Sequence, residues 1–273
     1  MPLAVCATPI GNLEDVTLRV LNELKRADAV LCEDTRRTRT LLHRHGIGAT
    51  LVSYHSHNEA ERTAEFLPRM EAGEAIALVS DAGLPGINDP GARLIAAALD
   101  AGVPVTVLPG ASAVETALVA SGLGAERYQF LGYLPRGAAA LGALWEELDR
   151  WPHAAVAFDS PKRLPSTLVS LATALPERRV AVCRELTKRF EEVVRGSPSE
   201  LAQRFAEAPK GEITLVLGPS GRATRGVDDD RDALDALDAI AALVAEGLGR
   251  RRASEVVARL TGLPRNQLYR ASL

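Results

Sequence analysis

Ala75-Ile76-Ala77-Leu78-Val79-Ser80-Asp81-Ala82-Gly83-Leu84-Pro85-Gly86-Ile87-Asn88-Asp89-Pro90-Gly91 is the stretch on which the fold turns. Its first five residues form an unbroken apolar run, the signature of a strand buried on both faces. Ser80–Gly91 then carries three glycines, two prolines and two aspartates with no periodicity of its own. A structureless loop of that length inside a compact domain is uncommon unless it binds something. From Ala92 to Ala101 apolar residues recur at three- and four-residue spacing, which predicts a helix.

The same grammar repeats outward. Leu3–Ala7, Ala29–Cys32 and Val103–Leu108 read as further buried strands, and Val16–Arg26, Thr35–His45 and Glu59–Ala72 as amphipathic helices between them. Alternation of this kind predicts an α/β layer with a largely parallel sheet. A second α/β block follows, with strands at Phe130–Leu134, Ala154–Phe158, Arg179–Val182 and Glu212–Leu217, and helices near Ala140–Arg150, Lys162–Leu175 and Ser199–Glu207. Helix Ala111–Ser121 and the turn Gly122-Leu123-Gly124 join the halves. Arg225–Asp238 is acidic and poor in large apolar residues, as a linker is, and a helical tail follows it. The expected organisation is therefore an N-terminal α/β domain over 1–110, a second over 111–225, and a linker with tail over 226–273.

Ligands of open α/β sheets bind beyond the carboxyl ends of the strands. Three Gly/Pro-rich loops fall there: Thr8-Pro9-Ile10-Gly11-Asn12, Ser80–Gly91, and Pro109-Gly110-Ala111-Ser112-Ala113. One such loop is ordinary turn chemistry; three at matching ends converge on one crevice. No Gly-x-Gly-x-x-Gly opens a helix after the first strand and no Gly-Lys-Ser/Thr loop occurs, so neither a dinucleotide fold nor a phosphate-loop enzyme is supported.

Composition sets the class. The chain has 273 residues, 47% hydrophobic and 25% charged, with a net charge of −3. No apolar run approaches the roughly 20 residues that span a bilayer. No basic residue precedes the apolar start Leu3-Ala4-Val5-Cys6, which argues against a secretory signal. Three scattered cysteines suit a reducing compartment, so a cytoplasmic globular protein with no membrane partner is expected. His43-x-His45 and His55-x-His57 lack further clustered ligands, and no metal site is expected.

Eight segments in order carry a resemblance to a known family. They are Ala7–Asp15, Cys32-Glu33-Asp34-Thr35-Arg36, Tyr54–Glu59, Ser80–Gly91, Pro109–Ala113, Phe158–Pro161, Arg184–Lys188 and Gly211–Val216. Over these the chain resembles the class III, tetrapyrrole-methylase-like S-adenosylmethionine methyltransferases. Within them it is similar to the bacterial branch acting on a cytidine ribose 2′-hydroxyl of 16S ribosomal RNA. Many relatives carry Gly-Asp-Pro where this chain has Ser80-Asp81-Ala82, which weakens assignment to the porphyrin branch.

The resemblance implies two α/β domains of the tetrapyrrole-methylase type with S-adenosylmethionine in the cleft between them, and a homodimer. It sets the cofactor against Pro9, Asp81, Gly83, Leu84, Gly110, Ser112 and Ala113 from the first half, and Phe158, Leu186 and Thr214 from the second. Phe158 and Thr214 read equally well as strand core. Asp34 or Thr35 is also a natural helix N-cap. Capping leaves Glu33 and Arg36 unexplained, so Glu33–Arg36 is expected to face substrate, with Arg36 gripping a phosphate. His57 and Asn58 are expected to line the cleft. Glu185 and Lys188 are either a surface ion pair or part of the chemistry. A ribose hydroxyl is a poor nucleophile and needs a base or cation within hydrogen-bond reach. Glu33, Asp34, Glu185, Lys188 and His57 are the candidates, and the sequence does not choose.

The tail adds an independent signal. A helix over Ala236–Leu248 leads to Arg250-Arg251-Arg252, then a helix, the turn Thr261-Gly262-Leu263, and a last helix opened by Pro264. From Leu248 to Leu273 there are six arginines, Arg265 among them, against one acid, Glu255. A basic helix-turn-helix on an acidic chain is the footprint of a phosphate-backbone partner, here 16S ribosomal RNA or the 30S subunit. Two rivals stand beside that reading: a tetrapyrrole or other small-molecule methylase, and a non-catalytic DNA-binding regulator that senses S-adenosylmethionine.

Overall fold

The structure is a computed structural model and describes residues 2–124, 126–220, 229–261 and 265–272. The first layer is a five-stranded sheet of β1 (Leu3–Cys6), β2 (Ala29–Cys32), β3 (Leu51–Ser53), β4 (Ile76–Val79) and β5 (Val105–Leu108), in the order β3-β2-β4-β1-β5. Every pairing in it is parallel. The three central strands are buried along their whole length, which is why they read as continuous apolar runs. The helices α1 (Leu18–Arg26), α2 (Thr35–Arg44), α3 (Glu59–Glu71) and α4 (Ala92–Asp100) fall within a few residues of the expected spans. Local chemistry sets their starts: Thr17 caps α1 by accepting from Val20 N at 3.2 Å, and Asp34 caps α2 by accepting from Arg36 N at 2.8 Å.

The second layer holds β6 (Tyr128–Tyr133), β7 (Ala154–Asp159), β8 (Val180–Arg184), β9 (Glu192–Gly196) and β10 (Ile213–Leu217), ordered β6-β7-β10-β8-β9. Only β6 and β7 run parallel; the other pairs are antiparallel, so this sheet is mixed. Helices α6 (Ala138–Arg150), α7 (Leu164–Ala174) and α8 (Pro198–Arg204) bury Trp145, Leu168 and Leu201 against one face. α5 (Ala113–Ser121) lies on the other, packing Val114, Ala117 and Leu118 on Val156, Ala181, Cys183 and Val216. Each fully buried leucine or valine contributes about 1.5–3 kcal/mol through burial.

In the tail, α9 (Asp229–Ala245), α10 (Arg250–Thr261) and α11 (Arg265–Ala271) share a small core of Ala236, Ile240, Ala253, Val257 and Leu268. Of the expected turn Thr261-Gly262-Leu263, Thr261 ends α10; Gly262, Leu263, the expected helix start Pro264 and residues 225–228 of the expected linker lie outside the described residues. Cys6, Cys32 and Cys183 are free and buried.

Two departures from glycine-free geometry position the loops. Gly132 sits at φ +66° where β6 loses register between Phe130 and Tyr133, and a Cβ there would come within 2.9 Å of Asn88 Oδ1. Gly211, at φ +103°, leaves no room for a Cβ beside the Glu185 side chain. A non-glycine residue at positive φ costs about 1–3 kcal/mol before any clash is counted. Gly211→Ala is therefore expected to lower Tm by roughly 3–10 °C in a calorimetric scan; an unchanged Tm would show that the loop after β8 adapts without strain.

Candidate active site

The carboxyl ends of β1, β2, β4 and β5 share one edge of the first sheet, and the loops leaving them are tied to one another. Thr8 and Gly83 exchange backbone hydrogen bonds of 2.8 and 3.0 Å, and Thr8 Oγ1 donates to Ser80 O at 3.0 Å. Gly110 passes so close to Ala7 that a Cβ would lie 2.8 Å from the Ala7 Cβ. Between these loops and the second sheet opens a cavity of about 680 Å³, within the range of small-ligand sites. Asp81, Gly83, Leu84, Gly110, Ser112 and Ala113 line it from one side, and Phe158, Leu186 and Thr214 from the other. Pro9 lines an adjoining cavity of about 320 Å³ shared with Arg37, Asp81 and Lys188.

Asp81 is held firmly. Its Oδ1 accepts from Asp34 N at 3.0 Å, and its Oδ2 lies 3.5 Å from Arg37 Nη1. Across the cavity Phe158 makes edge-to-face contacts with Phe130 (5.0 Å) and with the exposed ring of Tyr133 (5.5 Å). The cleft thus has a polar end at Asp81 and Ser112 and an aromatic end at Phe158.

Several expected residues take other duties. Asp34 is the N-cap of α2 and receives a two-pronged grip from Arg36, at 3.0 and 2.7 Å. That grip holds the Asp34 carboxyl well below the usual carboxylate range, where it is a weak base. Arg36, with its side chain 85% exposed, lines neither cavity; one residue further round the helix, Arg37 lines both. The shared face of Glu33–Arg36 therefore splits, and only Glu33 looks into the cavity. Asn58 spends its amide on the loop, accepting from His55 N at 2.7 Å and donating to Ser53 O at 3.0 Å. His57 is exposed, stacks edge-on with His55, and lines no described cavity.

Lys188 Nζ bridges Glu185 at 2.9 Å and Glu212 at 3.0 Å. Burial works against its charge, but hydrogen bonds to both carboxylates hold its pKa above the ordinary lysine value. Glu185, bound first by Lys188 and then by Glu212 N, is correspondingly lowered. The pair is an ion pair at the cleft rim, on a loop where Glu185 and Thr187 both sit at positive φ. Arg250, Arg251 and Arg265 lie exposed on α10 and α11. Among the described residues no group of three His, Cys, Asp or Glu side chains could hold a metal.

Sequence reasoning passed over Arg37, Tyr133 and Asp89. Asp89 lines the cavity with Glu33, and burial first, then repulsion from Glu33, push its carboxyl up to about 6. Glu33 is raised as well, by burial and by Asp81. The available signal for Asp89 was its place in the long loop beside Asn88, a residue tolerant of the left-handed backbone it adopts at φ +58°.

Known proteins bear on this site. Residues 2–202 match the family described as Tetrapyrrole (Corrin/Porphyrin) Methylases, and residues 230–273 match the RsmI C-terminal HTH domain. Ribosomal RNA small subunit methyltransferase I of Halalkalibacterium halodurans is 40% identical over 98% of this chain and 93% of its own length. The protein of that name from Mesorhizobium japonicum is 42% identical over 99% and 91%. Among solved structures, uroporphyrin-III C-methyltransferase from Thermus thermophilus, complexed with S-adenosyl homocysteine, superposes with a TM-score of 0.57 at 20% identity, covering 81% of this chain and 99% of that one. Diphthine synthase superposes with a TM-score of 0.57 at 15% identity, covering 79% and 89%.

The raised Asp89 carboxyl has a consequence for stability. The folded protein binds this proton more tightly than the unfolded chain, so the group's contribution falls as pH rises from about 4 to about 6 and is flat above. Asparagine stays neutral throughout. Asp89→Asn should melt about 2 °C higher than wild type near pH 7.5, after allowance for partial exposure, and show no gain near pH 4. An equal shift at both pH values, followed by circular dichroism, would contradict the burial of an ionised Asp89.

Proposed function

The chain belongs to the tetrapyrrole (corrin/porphyrin) methylase family, and on that footing we propose that it transfers a methyl group from S-adenosylmethionine to ribosomal RNA of the small subunit. The cofactor is S-adenosylmethionine, which supplies an electrophilic methyl on a sulfonium. The cleft suits it: Asp81 and Ser112 offer polar contacts for an amino-acid and ribose end, and Phe158, Leu186 and Thr214 an apolar bed for a base. Gly83, at φ +79°, and Gly110 let backbone approach the ligand. What the chain's own residues contribute is placement: aligning acceptor and donor in near-attack geometry supplies much of the acceleration.

The finer reading is methylation of a cytidine ribose 2′-hydroxyl in the decoding region of 16S ribosomal RNA, in the cytoplasm. The observation that carries it is the joint presence in this chain of the family's cleft and a basic helical tail matching the RsmI C-terminal HTH domain, beside its similarity to proteins named Ribosomal RNA small subunit methyltransferase I over nearly their whole length. The exposed arginines on α10 and α11 favour a polyanionic partner. We also infer a homodimer, for which the unpaired edge β5, with Val107 50% exposed, and Leu99 (59% exposed) on the adjoining α4 offer an apolar face. The deciding experiment is labelled methyl transfer to 30S subunits, naked 16S RNA and a porphyrinogen, with nucleoside digestion to locate the label. Label on a cytidine 2′-oxygen supports the reading; label on the porphyrinogen, or on nothing, replaces it with one of its rivals.

Two variants probe the parts. Asp81→Ala removes the partner of both Asp34 N and Arg37, and should weaken S-adenosylhomocysteine binding at least tenfold by isothermal titration; unchanged affinity in a folded variant removes Asp81 from the cofactor site. Deleting residues 226–273 should raise the apparent KM for RNA and flatten its salt dependence while cofactor affinity holds, because phosphate contacts are screened by salt. If instead only the oligomer seen by light scattering changes, the tail is an assembly element.

A further inference from the structure

We propose that Asp89 is the proton acceptor for the methyl-accepting hydroxyl, with Glu33 as the neighbouring carboxylate that tunes it; this rests on the RNA methyl-transfer reading above. The argument begins with the partners of the acids around the cleft. Asp81 has Arg37 and the Asp34 amide, Asp34 has Arg36, and Glu185 and Glu212 share Lys188. Glu115 accepts from Ser112 Oγ and from Tyr128 OH, the latter at 2.7 Å. Among the described residues no ion pair falls on Glu33 or Asp89, yet both line the large cavity. A carboxylate saturated by cations is a poor base, whereas two like charges left facing a cavity are costly unless a ligand uses them.

Position supports the same assignment. Asp89 stands in a segment clamped on both sides: Asn88 seats against Gly132, and Gly91 N donates to Glu59 Oε1 at 2.8 Å. A base held this way needs no reorganisation when substrate arrives. Tyr133 lines the same cavity; its ring is largely exposed, and partial desolvation, then Glu212, Asp89 and Glu33, raise its phenol pKa. With Phe158 given to the cofactor's base, Tyr133 is the exposed aromatic ring that shares the cavity lining with Asp89 and Glu33. Bases unstacked from RNA lie readily on aromatic rings, and a base on Tyr133 would bring its ribose toward the carboxylates.

The step balances. The ribose oxygen forms its bond to the methyl carbon as the carbon–sulfur bond of the donor breaks, the electron pair staying on sulfur to give a neutral thioether. The hydroxyl proton passes to the Asp89 carboxylate and then to water. The groups facing Asp89 are Glu33 at the end of β2, Asp81 and Ser80 in its own loop, and Tyr133 on β6. Arg37 on α2 and His55 after β3 face Glu33. Burial and Glu33 set its titration near pH 6, so the base is ionised at neutral pH and still holds a proton strongly enough to take one.

The test is single-turnover transfer from labelled S-adenosylmethionine to 30S subunits by the full chain, from pH 5 to 9, with S-adenosylhomocysteine affinity measured alongside. The wild-type rate should climb about tenfold per pH unit to about pH 6 and then level. Asp89→Asn should lose at least about 10²-fold in rate with homocysteine-product affinity within threefold. Glu33→Gln should move the rise to lower pH, whatever its plateau rate, since a negative neighbour is gone, and this holds as a check even if Asp89→Asn misfolds. A rate within a few-fold of wild type in Asp89→Asn, a loss of cofactor affinity there, or an unmoved rise in Glu33→Gln overturns the proposal alone. Wild-type protein that places no methyl on a ribose hydroxyl overturns the functional reading, and the proposal with it.

Discussion

The cleft depends on one close approach between the two layers, the seating of Ile10 and Gly11 against the loop after β8. Ile10, leaving β1, is buried in the same apolar cluster as Leu186, Val114 and Cys183 of the second layer. Gly11 follows it into a space where a Cβ would lie 2.5 Å from Lys188 Cγ and 2.9 Å from Leu186 O. Asn12 N then donates to Thr187 Oγ1 at 3.1 Å. The loop that receives them holds Glu185 and Thr187 at φ +53° and +64°, conformations that L side chains adopt only when the surroundings insist. The insistence comes from Lys188 across two carboxylates and from Glu191, which accepts from Thr187 N at 2.6 Å. Strain and ion pairing are thus concentrated where the spacing between the sheets is set, and that spacing is the width of the site.

The first sheet was legible because its strands are central and parallel. Runs such as Ile76–Val79 have no polar face to hide, and helices with clear caps separate them. β3 escaped because it is three half-buried residues at an edge. β9 escaped for a different reason. Glu192-Val193-Val194-Arg195-Gly196 is an edge strand half open to solvent, whose Glu192 and Arg195 read as surface charge. It pairs antiparallel with β8 through a hairpin, so no crossover helix announces it. The mixed direction of the second sheet follows from that one reversal, after which β10 runs against both β7 and β8, and apolar runs alone do not reveal direction.

The site was legible at the level of loops and not of side chains. Glycine and proline at strand ends pick out Ser80–Gly91 and Pro109–Ala113 because only those residues make the turns that bring backbone into a cleft. Which charge enters is decided by neighbours distant in sequence. Arg36 and Arg37 differ by one helical step of about 100°, and the fork from Arg36 onto Asp34 sends the first outward and leaves the second for Asp81. Asn58 looked like a cleft residue from its company, yet both ends of its amide were claimed by the turn that starts α3 (Glu59–Glu71). Local hydrogen bonding of this kind competes with function for the same polar side chains.

A cleft walled by carboxylates is an unlikely place to draw a polyanion, and the charge pattern of the chain answers that difficulty. At the net charge of −3 there is no global attraction to nucleic acid. Screening confines each charge to about 8 Å at physiological salt, so attraction must be local. On the proposed reading it comes from the exposed Arg250, Arg251, Arg252, Arg259, Arg265 and Arg270 of the tail, whose helices share a core of their own. At the cleft, cations are spent pairwise on carboxylates, as with Arg37 and Lys188, which leaves little net charge at the mouth for a phosphate to feel. Affinity and chemistry are then carried by separate surfaces. On that reading the tail holds RNA without regard to sequence, while the cleft, lined by Tyr133 and by Asp89 and Glu33, on which no ion pair falls among the described residues, selects the nucleotide that enters.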